Sequence, residues 1–308
     1  MPVLNGLGDC EQHINDAVES FAGKRPVLEP MLRAFGNILR EKSRLAAQLA
    51  AGKPYDLAVD PSRLSRGVPL LAGVSLEPLQ EQLNVSFNAM LNVLRKTFSD
   101  LDEELSRLEI CYRERKLDFV NLSRAYLETD PRVLSETARS LMVSEGVLGM
   151  VVGVLLAPVL EVVALSYAEQ VHQARWLKGF CPVCGSMPSI SYLGESGEQA
   201  SEFLTGGGGQ KYLHCSMCGC EWRTKRNMCP ACENEDKDRR VYFQTEDDPA
   251  ERIDVCTECG AYLPCMDFRE SVLRPPLEIA AVGMVHLDAW ACEKGYHPLA
   301  NTLWNQVR

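Results

Sequence analysis

Four Cys-x-x-Cys pairs between residues 181 and 259 constrain this chain more than any other feature of its sequence. They are Cys181/Cys184, Cys215/Cys218, Cys229/Cys232 and Cys256/Cys259. A single pair is weak evidence, because redox-active dithiols carry the same pattern. Each pair can, however, supply two corners of a sulfur tetrahedron that a second pair completes. Eight thiolates in four pairs therefore predict two metal sites with four cysteine ligands each.

The spacing of the pairs indicates which of them share a metal. Thirty residues separate Cys184 from Cys215, and 23 residues separate Cys232 from Cys256. Both intervals are long enough for a β-hairpin, so we expect the first pair to join the second and the third to join the fourth. In the alternative, cross-braced arrangement, the first pair joins the third.

The metal itself is left open by the sequence. Tetrahedral sulfur sites hold both zinc and iron, and the spacing does not distinguish these two ions. Zinc with four cysteine ligands is structural, whereas iron in the same site changes oxidation state. Either ion would stabilise a segment with little apolar core, so we expect this segment to be loosely folded without metal.

The composition indicates a globular protein in a reducing compartment. The 308 residues carry a formal net charge of −10, which argues against binding to nucleic acid by phosphate neutralisation. Nine basic and eight acidic residues between positions 175 and 242 nearly cancel, whereas a ribbon that follows phosphates is distinctly basic. The thirteen cysteines are mostly paired, and the first ten residues do not resemble a signal peptide. We therefore expect a cytoplasmic protein, not a disulfide-bonded secreted one.

Residues 1–175 are predicted to form a helical domain. Apolar residues recur at intervals close to 3.6, which predicts helices over 26–51, 76–108, 110–127, 133–145 and 147–173. The uncharged run 146–160 has 15 residues, fewer than the roughly 20 that a membrane-spanning helix needs. We expect this run to form a buried helix. We find no catalytic constellation in this half of the sequence.

The composition changes at residues 178–180, where the cysteine-rich part begins. Its knuckles, such as Cys-Pro-Val-Cys-Gly, resemble those of rubredoxins and zinc ribbons, and short β-like runs occur at 189–193 and 240–244. We predict a first rubredoxin-like module over 176–225, a second over 226–270, and a C-terminal helix at 277–294 within 271–308. Four glycines at 206–209 are expected at a hairpin tip. The predicted fold class is α+β.

Several residues near the pairs have more than one interpretation. Cys220 could replace a ligand, but we expect a bystander. His214 could complete a site with three cysteines, although a role in the turn or beside the ligands fits better with eight thiolates present. Trp222 is expected to pack over the metal or the hairpin. The remaining cysteines are isolated, which is typical of small buried apolar residues; they are Cys10, Cys111, Cys265 and Cys292.

The cysteine-rich part resembles formate dehydrogenase accessory proteins of the FdhE type. The resemblance is carried by Cys-Pro-Val-Cys-Gly-Ser-Met-Pro at 181–188, Lys-Tyr-Leu-His-Cys-Ser-Met-Cys at 211–218 and Glu221-Trp222. It continues through Cys-Pro-Ala-Cys at 229–232, Cys-Thr-Glu-Cys-Gly-Ala-Tyr-Leu at 256–263, Leu287-Asp288 and Gly295-Tyr296. It covers about 130 C-terminal residues closely and the helical half in general layout. All four cysteine pairs of the family pattern are present, whereas Cys220 departs from it.

The resemblance implies an accessory protein and not an enzyme, with no catalytic residue. Such a protein associates in the cytoplasm with the molybdenum- or tungsten-containing catalytic subunit of formate dehydrogenase during its maturation. The resemblance also implies that the eight paired cysteines hold two metal ions, with iron favoured over zinc. From the charge and the short apolar run we expect no nucleic-acid partner and no membrane insertion. The alternative is a stand-alone rubredoxin-like electron-transfer or thiol-redox protein. A helical domain of about 175 residues is more scaffold than such chemistry needs.

Overall fold

Helices form the first part of the chain, strands the middle, and two short helices follow the last long strand. The computed structural model describes residues 10–52, 55–194, 209–245, 248–269 and 274–305. The predicted α+β class is confirmed by this order of elements. Of the four glycines expected at a hairpin tip, residues 206–208 lie outside the described ranges.

Eight α-helices of the described residues precede the sheet. Asp118, Asp130 and Ser144 begin three of them, because each side chain accepts a hydrogen bond from a backbone amide of the first turn. Such caps satisfy amides that have no partner within the helix. The helices are α1 Cys10–Lys24, α2 Glu29–Ala50, α3 Gln80–Thr97, α4 Asp102–Arg113, α5 Phe119–Leu127, α6 Pro131–Leu141, α7 Glu145–Ser166 and α8 Ala168–Gln173.

Three predicted helices of the helical half are each divided in the structure. The segment 147–173 gives α7 and α8, which Tyr167 separates with φ −112° and ψ 13°. The segment 76–108 gives α3 and most of α4, because Phe98 has φ −122° and ψ 75°. The segment 110–127 is divided where Arg115 has φ 59° and where Asp118 caps α5. A capping aspartate offers the backbone a local alternative to a continuous helix. Apolar periodicity does not reveal that competition.

Helix α7 is the centre of the helical layer. It packs against α2, α3, α5 and α6, and 13 of its 22 residues are buried. Within the described residues it is the one helix long and apolar enough to cross a membrane, and 72% of its apolar stretch is buried inside the protein. This burial confirms the predicted core helix.

The strands form a single sheet in the order β3-β2-β1-β6-β5-β4, with β7 beside β6. Neighbours are antiparallel except β1 with β6 and β6 with β7, which are parallel. The parallel pairing sets Ser191 opposite Cys265. The pairing of β1 with β6 joins strands β1 to β3, which lie around the first two cysteine pairs, to strands β4 to β6, which lie around the last two. The strands are β1 Pro188–Leu193, β2 Lys211–Cys215, β3 Glu221–Thr224, β4 Arg240–Gln244, β5 Glu251–Cys256, β6 Ala261–Asp267 and β7 His297–Pro298.

Two C-terminal helices connect the sheet with the helical layer. They are α9 Leu277–Gly283 and α10 Val285–Glu293, where the sequence predicted one helix over 277–294. Met284 divides them with φ −96° and ψ 10°. Helix α9 packs against α1, α2 and β1. Gly283 permits this closeness, since a Cβ atom there would lie 2.4 Å from the ring of Phe21.

Candidate metal centres

The first and second cysteine pairs converge on one point, which we call the first site. Its Sγ separations are 3.5 Å from Cys181 to Cys218, 3.4 Å from Cys184 to Cys215 and 3.6 Å from Cys184 to Cys218. All four Sγ atoms lie within 4.8 Å of one another. The four side chains are buried.

Tight turns hold these pairs and direct backbone amides at sulfur. The nitrogen of Val183 lies 3.4 Å from Cys181 Sγ, and that of Met217 lies 3.4 Å from Cys215 Sγ. A glycine follows each pair in the left-handed region, where a residue with a Cβ atom would be strained by about 1–2 kcal/mol. Amide hydrogens so placed stabilise sulfur in its anionic, metal-binding form.

The third and fourth pairs form the second site. Its four Sγ atoms belong to Cys229, Cys232, Cys256 and Cys259 and lie within 4.8 Å of one another. The separation is 3.7 Å from Cys229 to Cys259 and 3.8 Å from Cys232 to Cys256. Gly260 follows the fourth pair with φ 76°, but the residue after the third pair is Glu233, with φ 57°.

Both groups of sulfur atoms have the dimensions of a metal site. The described cysteines are all free, and separations of 3.4 to 3.8 Å are far longer than a disulfide of about 2.05 Å. Four sulfurs about 2.3 Å from a central ion form a tetrahedron with edges of about 3.8 Å. The structure joins the first pair with the second and the third with the fourth. Each group could hold a metal ion.

The charge of the first site also fits a metal ion. Burial raises the pKa of the Cys181 and Cys218 thiols well above the usual value of 9.0. Four adjacent buried thiolates would be unstable without a counter-charge. A metal cation that replaces the protons supplies this charge.

His214 lies beside the first site and contacts two acids. Its Nδ1 atom is 3.6 Å from Glu221, and its Nε2 atom is 3.4 Å from Glu278. Burial of the ring lowers the pKa of His214, but Glu278 and Glu221 outweigh burial and raise it to about 10. The structure does not bring His214 into either sulfur group. The arrangement is that of a buried imidazolium beside the ligands, not of a fourth ligand.

A chain of charges, of which His214 is buried and the others are partly buried, extends from His214 into the helices. Lys42 Nζ on α2 lies 3.0 Å from Glu278 on α9 and 3.0 Å from Glu161 on α7. Burial acts to raise the pKa of Glu278, but Lys42 and His214 hold it well below its ordinary value. We name Lys42, Glu161, Glu278 and His214 the charge chain. The sequence pointed only to His214 among these residues, because Lys42, Glu161 and Glu278 lie on three helices that are far apart along the chain.

The other candidate residues take structural positions. Trp222 is buried, and its Nε1 donates to the carbonyl of Lys178 at 2.9 Å. It therefore fastens β3 to the segment that leads into the first pair. Cys220 is half-buried and lies outside both sulfur groups.

The isolated cysteines form no further site in the described residues. There, the clusters of His, Cys, Asp or Glu that could hold a metal ion are the two sulfur groups. Cys111 and Cys265 are buried, and Cys292 Sγ lies 3.7 Å from the Tyr262 hydroxyl. The side chain of Cys10 is outside the described part of the chain.

Comparison with known proteins gives consistent matches. The family model described as the FdhE central domain matches residues 180–226, which include the first site. A protein FdhE homolog of Aquifex aeolicus is 27% identical over 239 residues, which are 76% of this chain and 74% of the relative. Protein FdhE of Escherichia coli O1:K1 is 33% identical over 120 residues, which are 38% of this chain and 34% of the relative.

The fold is shared with a solved structure. The FdhE protein from Pseudomonas aeruginosa superposes with a TM-score of 0.63 at 20% identity, over 96% of this chain and 95% of that one. This likeness concerns the fold. The family model and the related sequences both indicate the FdhE family, and the solved FdhE structure shares the fold of this chain.

Proposed function

We propose that this chain is a cytoplasmic accessory protein in the maturation of a molybdenum- or tungsten-containing formate dehydrogenase. We further propose that it binds the catalytic subunit of that enzyme, here called the client, through the part that carries the two sites. The observation that carries the proposal is the presence of two complete four-cysteine groups on one sheet in a chain that matches the FdhE family.

The ligand sets support an accessory role and not a catalytic one. Each group supplies four sulfur atoms, which fill every position of a tetrahedral ion. Catalytic metal sites keep a position open for water or substrate. A closed ion instead fixes the shape of the surrounding turns, and a surface of fixed shape is what binding to a client requires. We therefore assign no catalytic residue.

We propose that both sites hold iron, with zinc as the alternative. Iron in a four-sulfur site can gain and lose an electron, whereas zinc cannot. The twelve cysteines with described side chains are all unbridged, which is consistent with a reducing compartment such as the cytoplasm. Elemental analysis of anaerobically purified protein tests this proposal, with an expected content of two iron atoms per chain. Two zinc atoms would overturn the choice of iron.

Capture from a native lysate tests the partner. Tagged wild-type protein should retain the catalytic subunit of formate dehydrogenase, identified by mass spectrometry. The double variant Cys229→Ser/Cys232→Ser should lose it, while Cys292→Ser, outside both sites, should retain it. If folded, metal-loaded wild-type protein captures no such subunit, the proposal is wrong.

A stand-alone electron-transfer protein remains the second candidate, because Cys232 of the second site is exposed. That function predicts reversible reduction and turnover with a generic electron acceptor in the absence of any client. The accessory function predicts no such turnover.

A further inference from the structure

We infer that the two sites have different tasks. The first site is a permanent structural link between the helices and the sheet, whereas the second site can exchange its metal with ligands in solution or on a partner. The inference rests on the metal binding proposed above and assigns a role to each set of cysteines.

The first difference is exposure. No cysteine of the first site is more than 7% exposed. In the second site Cys229 and Cys256 are buried, but Cys259 is half-buried and Cys232 is exposed. A competing ligand can therefore reach sulfur at the second site without any rearrangement of the fold.

The second difference is the cover over each site. The backbone amides of Leu70 and Leu71 donate to the carbonyls of Pro182 and Val183, both at 2.9 Å. A loop of the helical half thus lies on the knuckle that carries Cys181 and Cys184.

The other hairpin of the first site is held by the charge chain. His214 is adjacent to Cys215 and contacts Glu278, which Lys42 joins to α2. A ligand that removed this metal would have to wait for local opening of the interface between helices and sheet.

The knuckle that carries Cys232 lies against Gly179 at Pro230, but its outer turn at Cys232 and Glu233 has weaker support. Among the described contacts of its outer turn, the ion pair between Glu233 and Lys178 spans 3.0 Å, and both side chains are about half exposed. Exposed pairs of this kind contribute little to stability. Glu233 also has φ 57°, where the other three knuckles have glycine with positive φ. This strain lowers the free energy needed to open the turn.

Exchange at the second site is a ligand substitution without transfer of electrons. A donor atom of the incoming ligand bonds to the ion, the bond from Cys232 Sγ breaks, and the released thiolate takes a proton from water. Repetition of this step at the remaining sulfurs moves the ion to the competing ligand. The same steps at the first site require the cover to open first, so that site releases its ion more slowly.

Metal release from zinc-loaded protein tests the inference. With excess EDTA and a chromophoric zinc indicator, we expect two phases of one equivalent each, whose rates differ at least tenfold. Brief treatment of the loaded protein with iodoacetamide, followed by peptide mass spectrometry, should modify Cys232 before any cysteine of the first site. Equal release rates, or earlier modification of Cys184 than of Cys232, would overturn the inference.

Matched variants assign the phases. Cys232→Ser should remove the fast phase and leave the helical circular dichroism and the slow phase unchanged. Cys184→Ser, at the same position of the first pair, should remove the slow phase and lower the midpoint of thermal unfolding. The opposite assignment would contradict the inference. If the two phases are found but no client is captured, only the proposed partner is wrong.

Discussion

Gly179 lies against the backbone of Pro230 so closely that a Cβ atom on Gly179 would come within 1.9 Å of the Pro230 carbonyl oxygen. Gly179 precedes the first cysteine pair, and Pro230 lies inside the third. The segment that leads into the first pair therefore touches the third knuckle through backbone atoms, which a side chain at residue 179 would force apart. Together with the parallel pairing of β1 and β6, this contact makes the two knuckle regions one body.

Gly179→Ala should separate the two knuckles. The obstructing atoms are backbone atoms, at 1.9, 2.5 and 2.6 Å, which have little freedom to move. We expect a loss of about 3 kcal/mol in the free energy of unfolding, at the upper end of typical overpacking effects. Urea unfolding of the metal-loaded protein measures it. Gly149→Ala in α7 is the control, since nothing lies within 4 Å of its Cβ position and alanine favours a helix. Equal stability of the two variants would contradict the prediction.

Lys42→Met should destabilise the protein strongly. Lys42 is the shared partner of Glu161 and Glu278, and its removal leaves two mostly buried carboxylates without their cation. Breaking such a pair costs about 3 kcal/mol or more. Arg33→Met provides the comparison, because Arg33 pairs with Glu19 and Glu29 on an exposed surface, where ion pairs contribute little to stability. Similar losses for both variants would show that the charge chain contributes no more than a surface pair.

Asp288 should make stability depend on pH. Burial in α10 raises the pKa of Asp288 to about 7, and the Tyr262 hydroxyl opposes only part of this effect. The folded state therefore keeps a proton that the unfolded state releases above its own pKa of 3.8. Stability falls as pH rises from about 4 to about 7 and then levels off, by on the order of 4 kcal/mol in total.

Asp288→Asn isolates this contribution. The free energy of unfolding of the wild type, relative to that of the variant, should fall between pH 5 and pH 7 and stay constant above. Chemical denaturation of the wild type and the variant at several pH values measures the difference. A difference for Asp288→Asn that is independent of pH would disprove the assignment.

Glu233→Gly should relieve strain in the third knuckle. Glycine accepts φ 57° without a Cβ clash, which favours the variant by about 1–2 kcal/mol, but its unfolded state is more flexible. We expect a net gain of about 0.5–1 kcal/mol and slower release of the fast-exchanging metal. Lys178→Met removes the same ion pair without changing the backbone, so it should not slow release. Faster release from Glu233→Gly would show that the ion pair matters more than the strain.

Much of the local structure follows from neighbouring residues. The cysteine groups were predicted from the Cys-x-x-Cys pairs and from the hairpin-sized intervals of 30 and 23 residues between them. The core helix α7 was predicted from its apolar run, and strand β4 from the β-like run 240–244. These features depend on spacing along the chain, which the sequence displays directly. The breaks near Phe98 and Asp118 were missed because capping and backbone dihedral angles compete locally with periodicity.

Only the tertiary structure decided how the two cysteine groups differ. The amide of Leu70 meets the carbonyl of Pro182, and Lys42 meets Glu278, across long stretches of sequence. Such distant contacts decide whether a cysteine is buried, and the type of the residue does not. The cysteine pairs alone therefore determined that two groups of four thiols form, while the packing of helices on the sheet determined that one group is enclosed and the other is open to solvent.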